Sequence, residues 1–339
     1  MKTYLYTADQ VRQIDQVVIN EYGVPGLVLM RRAAEATIEV ALARWPKLTR
    51  VAVYCGSGNN AGDGYIVAGL LANRGISVRV VTVGDVKKLG VDAGAALDFC
   101  RASAAAIVDD HAVGDAELVV DALFGTGLNG PIRESYGKVI ETINESGKPV
   151  LSVDIPSGLS ADSGEVLGSA VRASVTVTFI GRKRGLYTGK GMAYAGEIKY
   201  ANLDVPPDAI HPTNIQLLDV EQCISQIPTR EQDAYKTKFG HVLVVGGDLG
   251  MGGAVIMASD AALRSGAGLV SVATRQENAT ALLSHRPEVM VKGVSGSEDL
   301  QPMIARATHI VLGPGLGRGD WSRWLFEEVI LAGKPGVID

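Results

Sequence analysis

The chain has 339 residues, of which 47% are hydrophobic and 20% are charged, a composition typical of a soluble globular protein. Its length favours two domains over one. The formal net charge of −5 argues against nucleic acid or an anionic membrane as the main partner, because both require a clustered positive field. These quantities favour a protein that acts on small molecules.

The sequence contains no apolar run of the ~18 residues that a membrane span needs, and its first ten residues lack the apolar core of a signal peptide. We therefore expect a cytoplasmic protein. The three cysteines, Cys55, Cys100 and Cys223, and the five histidines are scattered without the spacing of metal ligands. The cysteines are expected to be reduced thiols, and no zinc site is predicted.

Two helices are predicted at the start of the chain. Thr7 and Gln10 form a capping box that begins the first helix, in which Val11, Ile14, Val17 and Val18 share one face. The second helix extends from about Leu27 to Trp45, where Pro46 ends it. Both helices are expected to precede the first strand.

From residue 51 onward, continuously apolar runs alternate with helical patterns, which is typical of parallel strands buried on both faces. The expected fold is α/β, a Rossmann-like doubly wound parallel sheet. Ligands bind such sheets outside the carboxyl ends of the strands. The predicted strands are 51–55, 77–83, 118–122, 149–153, 174–180 and 196–203, and the predicted helices are about 62–74, 92–105 and 134–146.

The stretch CGSGNNAGDG, residues 55–64, has the pattern of a strand, an anion-binding turn and a helix. Gly56, Gly58 and Ala61 fit the dinucleotide fingerprint, but this match alone is weak because glycine-rich turns are common. Amide and carboxylate side chains stand between the glycines, at positions 59, 60 and 63. The loop could therefore hold a cation as well as a nucleotide.

Three further polar residues follow predicted strands. Asp121 and Asp154 each end a strand, and Ser157 follows shortly after Asp154. Any one of them could be a turn former or a helix cap. Their joint position with the glycine-rich loop favours one shared site at the carboxyl edge of the sheet.

Two other features have alternative interpretations. The basic, glycine-rich segment 181–191 is either a solvated connection or a loop that brings Lys183 or Lys190 to a substrate phosphate. Cys55 is either a nucleophile or a small buried hydrophobic residue, and the second is favoured because no activating group is near it in sequence.

The composition changes after residue 204, where a proline-rich and then polar segment indicates a linker. A second α/β pattern follows, with a helix at about 253–265, a strand at 269–273 and a helix at about 320–332. Its glycine turns GGDLGMGGA and GPGLG suggest a second nucleotide-sized site. We predict domains at 1–210 and 236–339 joined by a linker at 211–235, and we expect the second domain to be truncated, because its sheet would have an uncovered face.

Several motifs together resemble a known family. CGSGNNAGDG, VVDALFGTGLNGP and SVDIPSGLSADSG, in this order, are similar to motifs of the NAD(P)H-hydrate epimerases. The segment from IPTREQDAYKTKFG to SGAGLV, with LGPGLG, resembles the start of the ADP-dependent NAD(P)H-hydrate dehydratases, whose domain is ribokinase-like. The whole chain resembles the bifunctional nicotinamide nucleotide repair proteins.

This resemblance implies repair of NADH and NADPH that are hydrated at carbon 6 of the nicotinamide ring. The epimerase would interconvert the R and S hydrates, with Asp154 as acid or base, and the dehydratase would use ADP. The implied substrate-binding positions are Asn59, Asn60, Ala61, Gly62, Asp63, Gly125, Thr126, Gly127, Leu128, Asn129, Gly130, Pro131 and Asp154, with Ala254 and Gly317 in the second domain. The implied potassium ligands, all oxygen donors, are Asn60, Asp121 and Ser157.

The sequence departs from the family pattern in two places. Ala61 stands where the family more often has glycine. The histidine-bearing segment, the adenosine-phosphate loop and the turn with the catalytic aspartate of the dehydratases have no counterpart in this sequence, so we expect the second domain to be inactive. The family also suggests a homo-oligomer.

Two alternatives to the repair function are considered. An NAD-dependent oxidoreductase is suggested by the glycine fingerprint and by Asp85, which follows the second strand of the sheet, although Asp63 would crowd a pyrophosphate. A non-catalytic module that binds a nucleotide or docks a partner is the other alternative. The choice between NADH and NADPH hydrate, and the identity of the ion, are left open.

Overall fold

The computed structural model describes residues 3–227 and 229–339. The chain divides into two compact units, Met1–Ser225 and Gln226–Asp339, each of which is described by itself. The division falls inside the predicted linker. Among the described helices, none combines the length and the apolar character that a membrane span requires.

The strands of the first unit lie in two sheets. They are β1 (Thr3–Tyr6), β2 (Arg50–Cys55), β3 (Ser77–Thr82), β4 (Ala106–Val108), β5 (Leu118–Ala122), β6 (Val150–Val153), β7 (Val175–Phe179), β8 (Arg182–Lys183), β9 (Glu197–Ala201) and β10 (Gln216–Leu217). The helices are α1 (Ala8–Asn20), α2 (Gly26–Arg44), α3 (Asn59–Asn73), α4 (Val91–Arg101), α5 (Glu134–Glu145), α6 (Gly191–Tyr194) and α7 (Val220–Ser225).

The main sheet has seven parallel strands in the order β4-β3-β2-β5-β6-β7-β9. The strand order reverses between β2 and β5, which is the topological switch point of a doubly wound sheet. The expected fold class is therefore confirmed. The loops after β2 and β5 start side by side, so their polar residues lie at one crevice.

Both faces of this sheet are covered, which explains why its strands read as continuous apolar runs. Successive residues of β2 point to opposite faces: Val53 packs into a core with α1 to α4, and Tyr54 packs into a core with α5. The Tyr54 hydroxyl donates a 2.8 Å hydrogen bond to the carbonyl of His111, which satisfies its only polar group. The sheet is thus a rigid platform for the loops at its carboxyl edge.

The beginning of the chain differs from the prediction. A strand, β1, precedes the two predicted helices, and it lies in a separate three-stranded sheet in the order β10-β1-β8. The segment 181–191 is not a solvated connection, because it contains β8, whose Lys183 aligns with Tyr6 of β1. The predicted capping box is confirmed, since Thr7 Oγ1 accepts from the amide of Gln10 at 3.2 Å and the Gln10 side chain accepts from the Thr7 amide at 2.9 Å.

The second unit contains a five-stranded parallel sheet. Its strands are β11 (His241–Val245), β12 (Leu269–Thr274), β13 (Met290–Gly293), β14 (His309–Leu312) and β15 (Gly336–Ile338), and its helices are α8 (Gly252–Arg264), α9 (Ala279–His285), α10 (Ser297–Arg306) and α11 (Asp320–Leu331). The strand order is β13-β12-β11-β14-β15, which again reverses beside the first strand, β11. Separate apolar cores lie on the two faces of the sheet.

Two glycines provide a stability test with opposite expected signs. Gly158 has a φ of +92°, and a Cβ built on it would lie 1.9 Å from the carbonyl oxygen of Ser169. Gly94, inside α4, has no atom within 4 Å of its Cβ position. We expect Gly158→Ala to lower the free energy of unfolding by about 1 kcal/mol or more, and Gly94→Ala to raise it by about 0.5–1 kcal/mol. Urea denaturation followed by circular dichroism measures both, and equal effects would contradict the strain assigned to Gly158.

Candidate functional site

A cavity of about 990 Å³ lies at the carboxyl edge of the main sheet. Its wall is formed by α1, the first turns of α3, and the loops that follow β2, β3, β5, β6 and β7. The predicted positions that line it are Asn59, Asn60, Asp63, Gly125, Thr126, Gly127, Leu128, Asn129, Pro131 and Asp154. The structure therefore brings the loops named from sequence into one site.

The first turn of α3 faces this cavity. The helix begins at Asn59, three residues earlier than the predicted start at about residue 62, with Gly58 at the N-cap position. No side chain of the described residues caps the helix. The first N–H groups of a helix have no partner within it, and the helix dipole favours an anion at this end. The N-terminal end of α3 can therefore bind a phosphate group without the help of a basic side chain.

Asp121, at the end of β5, carries a carboxylate that is fully buried. Its oxygens accept hydrogen bonds from the Ser157 hydroxyl at 2.5 Å, the Ser157 amide at 2.9 Å and the Ser152 hydroxyl at 2.8 Å. All these donors are neutral, and no basic side chain of residues 3–227 forms an ion pair with Asp121. Burial raises the pKa of Asp121 despite these hydrogen bonds. A cation nearby would stabilise the carboxylate.

Oxygen atoms lie next to this carboxylate, and the Asn60 side chain lies against the loop after β5, since a Cβ built on Gly125 would lie 3.3 Å from Asn60 Oδ1. Ser157 Oγ accepts from the Phe124 amide at 2.9 Å and lies 3.3 Å from the Phe124 carbonyl oxygen. Asn60 is 7% exposed, and its Nδ2 has no hydrogen-bond partner. Because amide nitrogen and oxygen are assigned from their partners, Asn60 can equally present its oxygen there. The three predicted ligands thus fit a hard cation, although the described residues contain no cluster of His, Cys, Asp or Glu of the kind that binds metals.

Asp154 follows β6 in an unusual backbone conformation. Its φ is +69°, which is rare for a residue other than glycine, and a 2.9 Å hydrogen bond from the Ile155 amide to the Val153 carbonyl closes a three-residue turn around it. The side chain accepts from the Nζ of Lys183 and, at 3.3 Å, from the Phe179 amide. The turn thus places the carboxylate at the cavity wall.

Lys183 is the buried partner of Asp154. Its side chain is 1% exposed, and its ammonium group also donates a 2.7 Å hydrogen bond to the Phe179 carbonyl. A charged ammonium at this depth requires such compensation. The predicted role of Lys183 as a phosphate ligand is not favoured by this geometry, and Lys190 is exposed and does not line the cavity.

Two further carboxyl groups line the cavity, from Asp15 on α1 and Asp63 on α3. Both are half-buried. Burial, with a smaller contribution from Asp154, raises the pKa of Asp15 to about 6, and Lys183 partly opposes this shift. Burial and the neighbouring carboxyls of Asp154 and Asp15 raise the pKa of Asp63 well above its usual value. Ionisation of both carboxyl groups is therefore disfavoured in this site.

Some predicted positions do not line the cavity. Ala61 is fully buried, and the Cβ position of Gly62 points at the sulfur of Met30, so both lie on the packed side of α3. Gly130 is also absent from the wall.

Burial raises the pKa of the Cys55 thiol well above its usual value, which agrees with the interpretation of Cys55 as a small hydrophobic residue. Asp85 lies on the cavity wall, where its side chain accepts from the Lys87 amide at 3.0 Å.

Sequence reasoning missed Asp15 and the ion pair of Lys183. Asp15 is in an amphipathic helix next to the buried Ile14, so its position indicated a boundary between the apolar and polar faces. The i, i+4 spacing of Val11, Asp15 and Ile19 indicates that Asp15 shares a helix face with two apolar residues. All three residues line the cavity.

In the second unit, the two glycine turns meet at the switch point between β11 and β14. The amides of Gly247 and Asp248 donate to the carbonyls of Pro314 and Gly315 at 2.9 and 2.8 Å. A Cβ on Gly315 would lie 3.0 Å from Ala254 Cβ, and one on Gly317 would lie 2.9 Å from Asp248 Oδ2. The predicted positions Ala254 and Gly317 therefore lie on the same rim of this sheet.

Comparisons with known proteins agree with this division. A family model described as the YjeF-related protein N-terminus matches residues 26–185, and one described as NAD(P)H-hydrate dehydratase matches residues 242–339. The crystal structure of the yeast protein ynu0 covers 62% of this chain and 92% of its own, with a TM-score of 0.53. Because its sequence identity is 20%, this similarity shows the fold alone.

Curated relatives are similar over almost the whole chain. The bifunctional NAD(P)H-hydrate repair enzyme of Coxiella burnetii is 43% identical over 341 residues, which cover 99% of this chain and 70% of the relative. The enzyme of the same name from Escherichia coli is 36% identical, over 99% of this chain and 65% of the relative. The comparisons match both domains and do not support the expectation that the second one is inactive. The chain belongs to the family of bifunctional NAD(P)H-hydrate repair enzymes.

Proposed function

We propose that the first unit interconverts the R and S forms of hydrated NADH or NADPH. The observation that carries this proposal is the cavity at the switch point, in which the Asp154 carboxylate and its buried Lys183 partner lie with two unpaired carboxyl groups. Family membership supports the substrate class. The helix N-terminus at Asn59 offers a binding site for a phosphate of the dinucleotide.

The proposed reaction requires groups that move protons. The hydrate carries its hydroxyl on a carbon bonded to the ring nitrogen. Loss of this hydroxyl, or opening of the ring at the same carbon, produces a planar intermediate, and return of the oxygen or nitrogen to the other face produces the other epimer. Either route needs a proton donor and a proton acceptor. Asp154, whose negative charge is compensated by Lys183, is the acceptor.

Removal of both charges of the ion pair tests the role of Asp154. Asp154→Asn alone leaves the buried ammonium of Lys183 uncompensated and is expected to destabilise the protein. The double variant Asp154→Asn, Lys183→Met should recover part of this stability. The double variant should still convert pure R hydrate to the mixture of epimers at least about 100-fold more slowly than the wild type does. Chromatography of the two epimers measures this rate.

Asp98→Asn is the matched control, since this exposed aspartate of α4 does not line the cavity and should keep the wild-type rate. A double variant with the wild-type rate would exclude Asp154 as the acceptor. If the wild-type chain leaves R hydrate unchanged for as long as buffer does, the epimerase proposal is wrong.

We also propose that a potassium ion binds beside Asp121, with Asn60 and Ser157 as further oxygen ligands. Support comes from the fully buried carboxylate that only neutral groups contact, and from the unpartnered amide of Asn60. A bound cation would offset the charge of Asp121 and hold the loops after β2 and β5 together at the cavity wall.

The proposed ion can be tested without substrate, because a ligand that binds only the folded state raises the melting temperature. Potassium chloride should raise the melting temperature of the wild type above its value in choline chloride of equal ionic strength. Asn60→Ala, which removes one ligand and breaks no hydrogen bond recorded for this side chain, should abolish this gain while the protein stays folded. Equal gains in the wild type and the variant would contradict the site.

For the second unit, we propose ADP-dependent dehydration of the S hydrate, with Ala254 and Gly317 at the binding rim. Its support is the family membership and the proximity of the two glycine turns. Recovery of NADH absorbance from S hydrate after addition of ADP is the expected result, and its absence would contradict this assignment.

A further inference from the structure

Asp15 places an unpaired carboxyl group in the same cavity as the Asp154 and Lys183 pair. No hydrogen bond or ion pair to its side chain is formed by the described residues, although it is half-buried. Its carboxyl oxygens are not among the fully buried unpartnered atoms, so they are accessible to a molecule in the cavity. Asp15 lies outside the segment 26–185 that the family model matches.

The position of Asp15 is set by rigid elements and not by a flexible loop. It lies on α1, whose Val11, Ile14 and Val18 are buried in the main core. The preceding strand β1 pairs with β8, the strand that carries Lys183. The helix start is held by a 2.7 Å hydrogen bond from the Ala8 amide to Asp162 Oδ1. One framework therefore fixes both Asp15 and Lys183.

The charges at this part of the cavity do not balance if every acid is ionised. Three carboxyl groups, of Asp15, Asp63 and Asp154, share one buried ammonium group, that of Lys183. Burial and like charges nearby disfavour ionisation of these carboxyl groups. Since Asp154 receives the direct ion pair, Asp15 and Asp63 are the two groups whose pKa values are raised.

We propose that Asp15 is the proton donor for the hydroxyl group that leaves the hydrated nicotinamide ring, an inference that rests on the proposed epimerase function. The bond from ring carbon 6 to oxygen breaks with its electron pair on oxygen, the Asp15 proton converts this oxygen to water, and the ring nitrogen forms a double bond to the carbon. Water then adds to the opposite face and gives a proton to Asp154. Exchange with water in the cavity returns the proton to Asp15, so no other reactant is consumed.

A proton donor works best when its pKa lies near the working pH, as that of Asp15 does at about 6. Burial also raises the pKa of Asp63, so Asp63 is the alternative donor that the Asp63→Asn variant tests. The other charged or titratable groups on the cavity wall are Arg12 on the same helix, Asp92 on α4, Tyr136 on α5, and Asp85, Lys88, His111 and Arg133 from the surrounding segments.

The test is the rate of R to S conversion by the intact chain, measured across the range from about pH 5 to pH 8. The wild-type kcat should fall as the pH rises through the range in which Asp15 loses its proton. Asp15→Asn should lower kcat about 100-fold or more and change KM less. The kcat of this variant should no longer fall at high pH. Asp15→Glu should recover part of the rate with the fall restored, and Asp98→Asn should behave as the wild type.

A second measurement needs no substrate. Because the folded protein holds the Asp15 proton more tightly than the unfolded chain, ionisation of Asp15 costs stability as the pH rises from its unfolded to its folded pKa. The melting temperature of Asp15→Asn, relative to wild type, should therefore rise between about pH 4 and about pH 6 and stay level above that range. A difference that does not change with pH would contradict proton retention by Asp15.

Other outcomes separate this inference from the proposed function. An Asp15→Asn variant with the wild-type kcat and pH profile would overturn this inference. It would also be overturned if Asp63→Asn lost the fall of kcat at high pH while Asp15→Asn kept it. Failure of the wild type to epimerise would overturn the proposed function, and the melting experiment would still decide whether Asp15 keeps its proton.

Discussion

The buried ammonium group of Lys183 is the interaction on which the site depends. It contacts the Asp154 carboxylate after β6 and the Phe179 carbonyl at the end of β7, so one side chain joins two strand ends of the main sheet. Its own strand, β8, is paired with β1 outside that sheet. Lys183 therefore links the pairing of the N-terminal strand to the ion pair at the cavity wall.

Two neighbouring strands end in the same strained turn. Asp154 after β6 and Ile180 after β7 both have positive φ values, of 69° and 64°, and in each case the next amide donates to the carbonyl of the preceding residue. Such conformations cost free energy in residues other than glycine and persist only where the surroundings enforce them. Both residues line the cavity. The strain thus lies where the chain must turn sharply to hold the Asp154 carboxylate beside Lys183.

The parts of the fold that sequence reasoning found are those with a local signal. Buried parallel strands are apolar along their length, and polar residues at their carboxyl ends are conspicuous, so the sheet and the group of Asp121, Asp154 and Ser157 could be predicted. β1 could not, because a four-residue strand is defined by a partner, β8, that is distant in sequence. The early start of α3 was missed since Asn59 and Asn60 favour turns. The burial of Lys183 could not be predicted, because it depends on tertiary contacts alone.

The first glycine of each glycine-rich turn has the same physical role in both units. A Cβ on Gly56 would lie 2.0 Å from the carbonyl oxygen of Leu123, and one on Gly246 would lie 2.1 Å from that of Pro314. In each unit the glycine follows the strand at which the order reverses, and the oxygen belongs to the loop after its neighbour across the switch point. These glycines permit two loop backbones to touch at the crevice. The position of this first glycine therefore reflects the doubly wound topology, and the polar residues that follow it, Asn59, Asn60 and Asp63, line the cavity.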